Sequence, residues 1–427
     1  MNANQLNIQY ERINEETVED EKSWGTLHVH DPAILKSGDT YYVFSTDAKV
    51  KGQPRGGIQI RKSKDMINWE WAGYAFDSIP EEAFQWTGAK GLWAPEVIRC
   101  GDEYLMYYSA SQFGKNQSFI GLARADHPEG PWIDYGEVVK TTHTDEQNAI
   151  DANIVFDDKD EPWLVYGSFF GGIRVFPIDS STGKKKEGSE ETVIAKRHDS
   201  VEAAIEGPYI VYHPGFQKYY LFVSYDSLFS TYHIRVGRSD HVTGPYYDRN
   251  GQVMTDTALP PHEVGLKILG GYQFGESPGW IAPGHNSVLK DEEDYYLCHH
   301  ARDEENPAWH SLHIRKIVWS DDEWPLVSPE RYTGEKEKHV ELKTINGRWD
   351  IVSMEPSVNT QHRSQAYQLN ESAFLQHSDS KFFISAGEHV IEAVVFEAWD
   401  FEYRVPTYVF TGINQDGIVM MGKKDSR

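Results

Sequence analysis

The chain has 427 residues, of which 39% are hydrophobic and 13% aromatic, a composition that suits two or three domains with large cores and argues against disorder. Its formal net charge of −25 disfavours binding to nucleic acid and to anionic membrane surfaces, because like charges repel. The apolar runs are far too short to span a bilayer, so the sequence predicts neither a nucleic-acid partner nor a membrane partner.

A repeated pattern runs through most of the chain. Each copy begins with a polar or small residue, continues through an apolar pair and a turn, and ends in an aromatic-rich strand. When the copies are aligned, one column contains Asp31, Ala94, Asp151, Gly207 and His285. The aromatic-rich strands cover residues 41–45, 104–108, 163–167, 219–223 and 295–299. Turn-forming residues between the paired strands predict hairpins.

Five repeats of this kind predict an all-β fold, a five-bladed β-propeller over residues 25–335. Third and fourth strands can be followed in several copies, and no helical periodicity of useful length competes. A single β-sandwich of this length is the alternative, but five repeats in phase favour the propeller. Over residues 338–427 the pattern changes to strand-like stretches, which predict a small antiparallel β-barrel or sandwich domain without catalytic residues.

The aligned column places acidic side chains at the centre of the predicted propeller. The first strand of each blade lines the central channel, so Asp31, Asp151 and Glu206 should gather at one mouth. Crowded carboxylates raise one another's pKa, and two of them across a sugar-sized gap are typical of glycoside hydrolysis. Taken singly, Asp31 and Asp151 are more readily explained as turn formers at strand ends, since Asp is common in turns. Three carboxylates at phased positions favour catalysis.

Five segments carry this column. They are His30-Asp31-Pro32, Trp93-Ala94-Pro95-Glu96, Asn148-Ala149-Ile150-Asp151, Ile205-Glu206-Gly207-Pro208-Tyr209 and Trp280-Ile281-Ala282-Pro283-Gly284-His285-Asn286-Ser287. In this order and spacing they resemble glycoside hydrolase family 43, and within it most closely the two-domain endo-α-1,5-L-arabinanases. The resemblance implies an inverting enzyme in which Asp31 is the general base and Glu206 the general acid, while Asp151 raises the pKa of Glu206 and orients it. Base and acid should then lie roughly 6.5–9.5 Å apart, with room for a water molecule.

The resemblance also implies a cofactor. His285 matches a residue that binds a channel ion, usually assigned as calcium and surrounded mostly by water. The sequence by itself gives no such ligand set, since one histidine does not make a metal site. Without the resemblance, His285 is explained as a hydrogen-bonding residue of the channel.

Substrate contacts follow from the same resemblance. It points to Trp93 and Phe113, whose rings would stack on furanose units, although large aromatic residues usually pack in cores. Phe113 lies in a polar, loop-like segment with little core nearby. His30, beside the base, could orient it or contact the sugar. Ser168 and Asn153 could bind a sugar hydroxyl, and for both a structural role at a turn or strand stays open.

The implied activity is hydrolysis of α-1,5-L-arabinofuranosidic bonds in arabinan or arabino-oligosaccharides. β-Xylosidase, α-L-arabinofuranosidase or exo-acting arabinanase activity stays open, because blade loops decide the sugar and the cleavage pattern. A non-catalytic binding propeller is disfavoured by the complete set of carboxylates. Two details of the acid segment matter: Gly207 stands where many relatives carry Ala, and Glu202 is the second choice for the acid.

The cellular compartment is predicted from two features. Residues 1–21 are polar and acidic, without the basic and apolar regions of a signal peptide. Cys100 and Cys298 lie in apolar strand-like runs, which predict buried thiols rather than a disulfide. Both features predict a cytoplasmic protein as the sequence stands, and a secreted protein whose leader has been removed would show the same features.

Overall fold

The computed structural model describes residue 8 and residues 18–426, and its larger part is a series of antiparallel sheets that follow one another along the chain. Blade 1 contains β1 Ala33–Ser37, β2 Thr40–Ser45, β3 Gln59–Ser63 and β4 Glu70–Tyr74. Helix α1, Glu81–Thr87, leads to the next blade. Blade 2 contains β5 Trp93–Cys100, β6 Glu103–Ala110, β7 Phe119–Ala125 and β8 Ile133–Lys140.

The next three blades repeat this plan with additions. Blade 3 contains β9 Asn153–Phe156, β10 Pro162–Tyr166, β11 Ile173–Asp179, β12 Lys184–Lys185 and β13 Thr192–Ala195. Blade 4 contains β14 Ile205–His213, β15 Lys218–Tyr225, β16 His233–Ser239 and β17 Leu266–Leu269. Blade 5 contains β18 Tyr272–Gln273, β19 Trp280–Asp291, β20 Asp294–Asp303, β21 His310–Trp319 and β22 Pro325–Val327.

The sheets close into a ring. Their innermost long strands, β1, β5, β9, β14 and β19, contact one another in that order, and β19 returns to β1. The segment before β1 fastens this closure, because Leu27 pairs with Ser311 of β21 in blade 5. The prediction of a five-bladed propeller is therefore confirmed, and the sandwich alternative is wrong.

Alternating side chains of each strand pack against different neighbours, which explains the apolar runs. In β2, Tyr42 and Phe44 join the core between blades 1 and 2, whereas Val43 joins the core between blades 5 and 1. In β6, Met106 faces blade 1 and Leu105 faces blade 3. Because side chains alternate across a strand and both faces of each sheet are covered, the strands are apolar on both sides.

The C-terminal part is one seven-stranded sheet preceded by the short helix α2, Leu342–Ile345. The strands of this part are β23 Gly347–Ser353, β24 His362–Arg363, β25 Gln365–Leu369, β26 Phe374–Gln376, β27 Lys381–Ala386, β28 His389–Asp400, β29 Val405–Asn414 and β30 Val419–Lys424. All of them belong to the seven-stranded sheet except β24, which pairs with β18 of blade 5. The order is β25-β23-β30-β29-β28-β27-β26, and β25 also contacts β27, so the sheet curls on itself as in a barrel. Its interior is filled by large side chains such as Trp349, Phe382 and Phe410.

A buried cluster of charges joins the two parts. Lys423 of β30 lies 2.9 Å from a carboxylate oxygen of Glu330 and 3.2 Å from one of Asp400, and it also contacts Glu402. Glu330 belongs to the connection after β22, so this ion cluster ties that connection to the C-terminal sheet. The three acidic groups are close enough to hold a metal ion, but the lysine ammonium occupies the place between them.

Among the described residues, no helix has the length and apolar character needed to cross a membrane. Cys298 is buried, Cys100 is partly buried and both are free thiols, as the sequence predicts.

Candidate functional site

The five residues of the aligned column share an unusual backbone conformation. Their φ angles are positive: 51° at Asp31, 38° at Ala94, 63° at Asp151, 55° at Gly207 and 47° at His285. For any residue other than glycine, this left-handed region costs about 1 kcal/mol or more. Gly207 adopts it most easily, which is a physical reason for glycine in the acid segment. A Cβ atom there would also lie 3.0 Å from the His285 ring.

Each of these residues donates its backbone N–H to an acceptor in the preceding blade. The amide N–H groups are bound by Thr46 Oγ1 for Ala94 (2.8 Å), Ser109 Oγ for Asp151 (3.0 Å), Ser224 Oγ for His285 (2.8 Å) and His300 Nδ1 for Asp31 (3.2 Å). At the fourth blade, Asp151 Oδ2 accepts the N–H of Gly207 at 3.1 Å. These bonds form a closed ring around the channel and fix where the column side chains start.

The column brings Asp31 together with two imidazoles and a hydroxyl. His30 Nδ1 lies 2.8 Å and His285 Nδ1 3.1 Å from its Oδ1, and Thr46 Oγ1 donates to Oδ2 at 2.6 Å. Burial alone would raise the pKa of Asp31, but the imidazoles of His30 and His285 outweigh burial and hold that pKa well below its usual range. Asp31 is therefore an ionised carboxylate, ready to accept a proton.

The other two carboxyl groups have the opposite tendency. Burial raises the pKa of Glu206, and the negative charge of Asp31 adds to this rise. Burial and then the charges of Glu206 and Asp31 hold the pKa of Asp151 well above its usual range. Because both members of the Glu206–Asp151 pair resist ionisation, the pair retains a proton that Asp31 does not. Ser168 Oγ donates to Glu206 Oε2 at 2.9 Å and orients it.

A stack of three rings lies behind the carboxylates. His30 stacks on His300 with ring centroids 3.9 Å apart, and His300 stacks on Tyr232 at 5.8 Å. Tyr232 is fully buried and faces Glu206, whose negative charge raises the pKa of the phenol after burial itself. A Cβ atom on Gly284 would lie 2.0 Å from the Tyr232 ring, so glycine is needed there. The stack thus contacts Asp31 at its His30 end and faces Glu206 at its Tyr232 end.

The sequence of the chain also matches known protein families. Residues 25–325 match the family model described as glycosyl hydrolases family 43, and residues 329–422 match the C-terminal lipocalin-like domain of that family. The chain belongs to glycosyl hydrolases family 43. This confirms the resemblance seen in the five segments.

Among the relatives is the extracellular endo-α-(1→5)-L-arabinanase of Thermotoga petrophila, 30% identical over 92% of this chain and 93% of the relative. A crystal structure of endo-1,5-α-L-arabinanase from that organism has a TM-score of 0.84 at 28% identity, covering 94% of this chain and 99% of the other. The extracellular exo-α-(1→5)-L-arabinofuranosidase of Cellvibrio japonicus is 34% identical over 70% of this chain and 86% of the relative.

In this family 43 chain, the residues predicted to contact the substrate differ in how far they are buried. Trp93 is half-buried at the start of β5, and Phe113 is 74% exposed in the loop after β6. Asn153 is buried: its amide donates to Glu96 Oε1 at 2.9 Å and its oxygen accepts the N–H of Ile210 at 2.9 Å. Asn153 therefore links the first strands of three blades, and its amide group is occupied by protein partners. Burial raises the pKa of Glu96 to about 8, so this partner is a neutral acid.

The second choice for the acid does not belong to the site. Glu202 is exposed at the end of a short helical turn and is not among the groups that shift the pKa of Asp31, Asp151 or Glu206. Glu206, one residue into β14, is the acid candidate that the fold places beside Asp151.

His285 offers little to a metal ion. Its Nδ1 is engaged with Asp31, which leaves one ring nitrogen, whereas calcium prefers six to eight oxygen ligands. Within the described part of the chain, the acidic and imidazole groups near enough to share an ion in the channel are His30, Asp31 and His300. The protein thus offers one ring nitrogen at His285, so water would have to supply most ligands of an ion there, and no catalytic step is assigned to an ion.

Sequence reasoning missed the acceptors of the N–H ring, although a signal for them exists. Each predicted aromatic-rich strand is followed at once by a polar residue, and these residues form a second aligned column: Thr46, Ser109, Ser168, Ser224 and His300. Four of them bind a column N–H, and Ser168 binds the acid instead. Arg302 was also missed: its Nη2 donates to His30 Nε2 at 3.3 Å, which leaves the His30 proton on Nδ1, facing Asp31.

We expect the Ser109→Ala and Ser224→Ala variants to lose about 1–3 kcal/mol of folding stability each, because a buried N–H is left without its acceptor. The measurement is the free energy of unfolding from urea titration. Ser180→Ala, at an exposed position, is the matched control and should change stability by about 0.5 kcal/mol or less. Equal stability of all three variants would show that the N–H ring does not hold the channel.

Proposed function

We propose that this chain hydrolyses α-1,5-L-arabinofuranosidic bonds of arabinan and arabino-oligosaccharides, with inversion at the anomeric carbon. The observation that carries the proposal is the contrast between two carboxyl groups at one channel mouth: Asp31 is contacted by two imidazoles and a hydroxyl that stabilise its charge, whereas burial raises the pKa of Glu206 and so favours its acid form. Membership of family 43 supports glycoside hydrolysis. Two relatives support arabinan as the substrate: one is named an endo-α-(1→5)-L-arabinanase and is aligned over both domains, and the other is named an exo-α-(1→5)-L-arabinofuranosidase.

The chemistry follows from these two states. Asp31 removes a proton from a water molecule while the water oxygen forms a bond to the anomeric carbon. At the same time Glu206 donates its proton to the oxygen of the breaking glycosidic bond, so the leaving sugar departs as an alcohol. Asp31 ends protonated and Glu206 ionised, and exchange with solvent restores both. Asp151 keeps the proton on Glu206 before reaction, and its hydrogen bond to Gly207 holds the acid's backbone.

The groups around the carboxylates would bind the sugar. Trp93 and Phe113 supply faces on which furanose rings can stack, and the burial of Ser168 beside Glu206 favours its role in orienting the acid over a direct sugar contact. His30 acts on the base through its 2.8 Å contact with Asp31. Relatives of both cleavage types exist, since the Thermotoga petrophila enzyme is named endo-acting and that of Cellvibrio japonicus exo-acting. Alignment over both domains favours the endo type.

The proposed mechanism predicts the effect of replacing its two reacting groups, Asp31 and Glu206. Asp31→Asn and Glu206→Gln should each lower kcat on linear arabinan by roughly 10²- to 10⁴-fold, because one proton transfer is lost. Initial rates on debranched arabinan measure this, and the released fragments are sized in parallel.

Asp39→Asn and Glu202→Gln change exposed carboxylates and are the matched controls, with rates equal to wild type. Full activity of Asp31→Asn or Glu206→Gln would contradict the assigned roles. Release of mixed short oligomers indicates endo action, and release of a single product indicates exo action. Activity confined to xylan or aryl glycosides would replace arabinan by the alternative substrates.

The mechanism also predicts how activity depends on pH. Activity requires a protonated Glu206, so it falls as the pH rises through the raised pKa of the Glu206–Asp151 pair. Asp151→Asn removes a negative charge beside Glu206 while its amide oxygen can still accept the Gly207 N–H. The pKa of Glu206 should then fall, and the alkaline limb of kcat/KM should move to lower pH. The acidic limb belongs to Asp31 and should move little. An alkaline limb that stays in place would contradict the role of Asp151.

We also propose that a calcium ion binds in the channel near His285, with water as its main ligand. The nearby carboxylates favour a cation there, and a single imidazole nitrogen would anchor it. The calcium content of dialysed protein, measured by mass spectrometry, should fall on His285→Ala, and calcium should raise the melting temperature of wild type only. Wild-type protein that retains no calcium and gains no stability from it would contradict this proposal.

A further inference from the structure

Two exposed phenylalanines touch each other on the catalytic face of the propeller. Phe113 is 74% exposed and Phe229 is 55% exposed, yet their ring centroids are 6.0 Å apart. Phe113 is the most exposed of the large hydrophobic side chains that the structure describes. Exposed apolar surface that is contiguous, rather than scattered, marks a binding site. Of the two rings, only Phe113 is suggested by the family resemblance.

Strand register places both rings at the channel mouth that holds the carboxylates. Ser224 of β15 lies opposite Glu206 of β14, so the loop that follows β15 and carries Phe229 begins beside the acid. Ser109 of β6 lies opposite Trp93 of β5, so the loop with Phe113 begins at the same end of blade 2. Blades 2 and 4 are separated by blade 3. Contact between their loops therefore spans the mouth above the channel.

Arg302 holds Phe229 in place. Its Nε donates to Leu228 O at 2.8 Å, and its guanidinium carbon lies 5.3 Å from the Phe229 ring centroid. The same side chain donates to Pro307 O at 2.8 Å and to His30 Nε2 at 3.3 Å. Arg302 is buried, so these bonds are fixed. One arginine thus connects the exposed ring to the histidine that contacts the base.

The loop itself is also compact. The N–H groups of Ser230, Thr231 and Tyr232 all converge on Ser227 O, at 3.1, 3.0 and 2.8 Å. Tyr232, at the end of the loop, belongs to the ring stack behind the carboxylates. Phe229 is therefore an exposed apolar ring on a segment that is anchored at both ends. Such a ring is prepared for a ligand, since little order is gained on binding.

We propose that Phe229 is a substrate-binding residue, and that with Phe113 it forms one aromatic platform on which furanose units outside the cleaved bond stack. The chemistry favours a neutral sugar chain, because its C–H faces match the apolar rings while the net charge of −25 and the carboxylates beneath repel an acidic ligand. The inference rests on the proposed arabinan hydrolysis and adds a residue of blade 4 to its binding site.

The test measures binding apart from turnover. In a Glu206→Gln background, calorimetry with arabinohexaose should show affinity lowered by about threefold to tenfold on Phe229→Ala. Phe229→Tyr should restore most of it, because the ring is kept. Phe383→Ala, which removes a partly exposed ring of the C-terminal sheet, is the matched control and should bind as the parent does. Since Phe113 and Phe229 touch, the double alanine variant should lose less than the product of the single losses.

Turnover adds a readout that a purely structural role would not move. In the active enzyme, Phe229→Ala should raise KM for arabinohexaose and leave kcat/KM for arabinotriose near the wild-type value, at an unchanged melting temperature. If wild type binds and cleaves arabinohexaose and Phe229→Ala is indistinguishable from it, the inference is overturned and the proposed function stands. Wild-type protein that neither binds nor cleaves arabinohexaose overturns the proposed function and the inference together.

Discussion

Each of the five column residues depends on a hydrogen bond that its own backbone N–H donates to an acceptor in the preceding blade. The left-handed conformation of Asp31 and Asp151 is unfavourable for residues with a Cβ, and both residues depend on an acceptor for their N–H. His300 and Ser109 supply those acceptors from neighbouring sheets. The position of every reacting group is therefore set by contacts between blades, and a site of this kind exists only when the ring of blades is closed.

The same ring explains how three carboxyl groups can be crowded in one mouth. Asp31 is surrounded by donors, namely His30, His285 and Thr46, which stabilise its charge. Glu206 and Asp151 also accept hydrogen bonds, from Ser168 and from the Gly207 N–H, but burial outweighs these bonds and the charge of Asp31 adds to its effect, so the pair retains a proton. Differences in the partners of chemically similar groups thus create an acid and a base. In the stack of His30, His300 and Tyr232, His30 contacts the base and Tyr232 faces the acid.

The sequence predicted the blades and the catalytic column because both depend on a repeat, and a repeat is visible in one dimension. It could not show whether Asn153 faces the sugar or the next blade, since an asparagine amide can bind a sugar hydroxyl or a neighbouring strand equally well. The structure resolves this by the contacts of Asn153 with Glu96 and Ile210. His300 was missed for a related reason: it lies far from Asp31 in sequence, and only ring closure brings them together.

The C-terminal part of the chain was predicted as a separate domain, but one of its strands completes blade 5. Strand β24 lies outside the seven-stranded sheet and pairs with β18, so Tyr272 lies beside His362 just before the segment that leads to His285. From blade 4, Arg235 donates to Pro356 O at 2.6 Å, and Lys267 contacts Val358 O and His362. Burial lowers the pKa of Lys267 to about 7, yet its donors are used by backbone of the C-terminal part. The C-terminal part of the chain therefore contacts both the fourth and the fifth blade. The fifth blade in turn carries His285 and His300, which contact the base, so a continuous series of packed elements joins the C-terminal domain to Asp31.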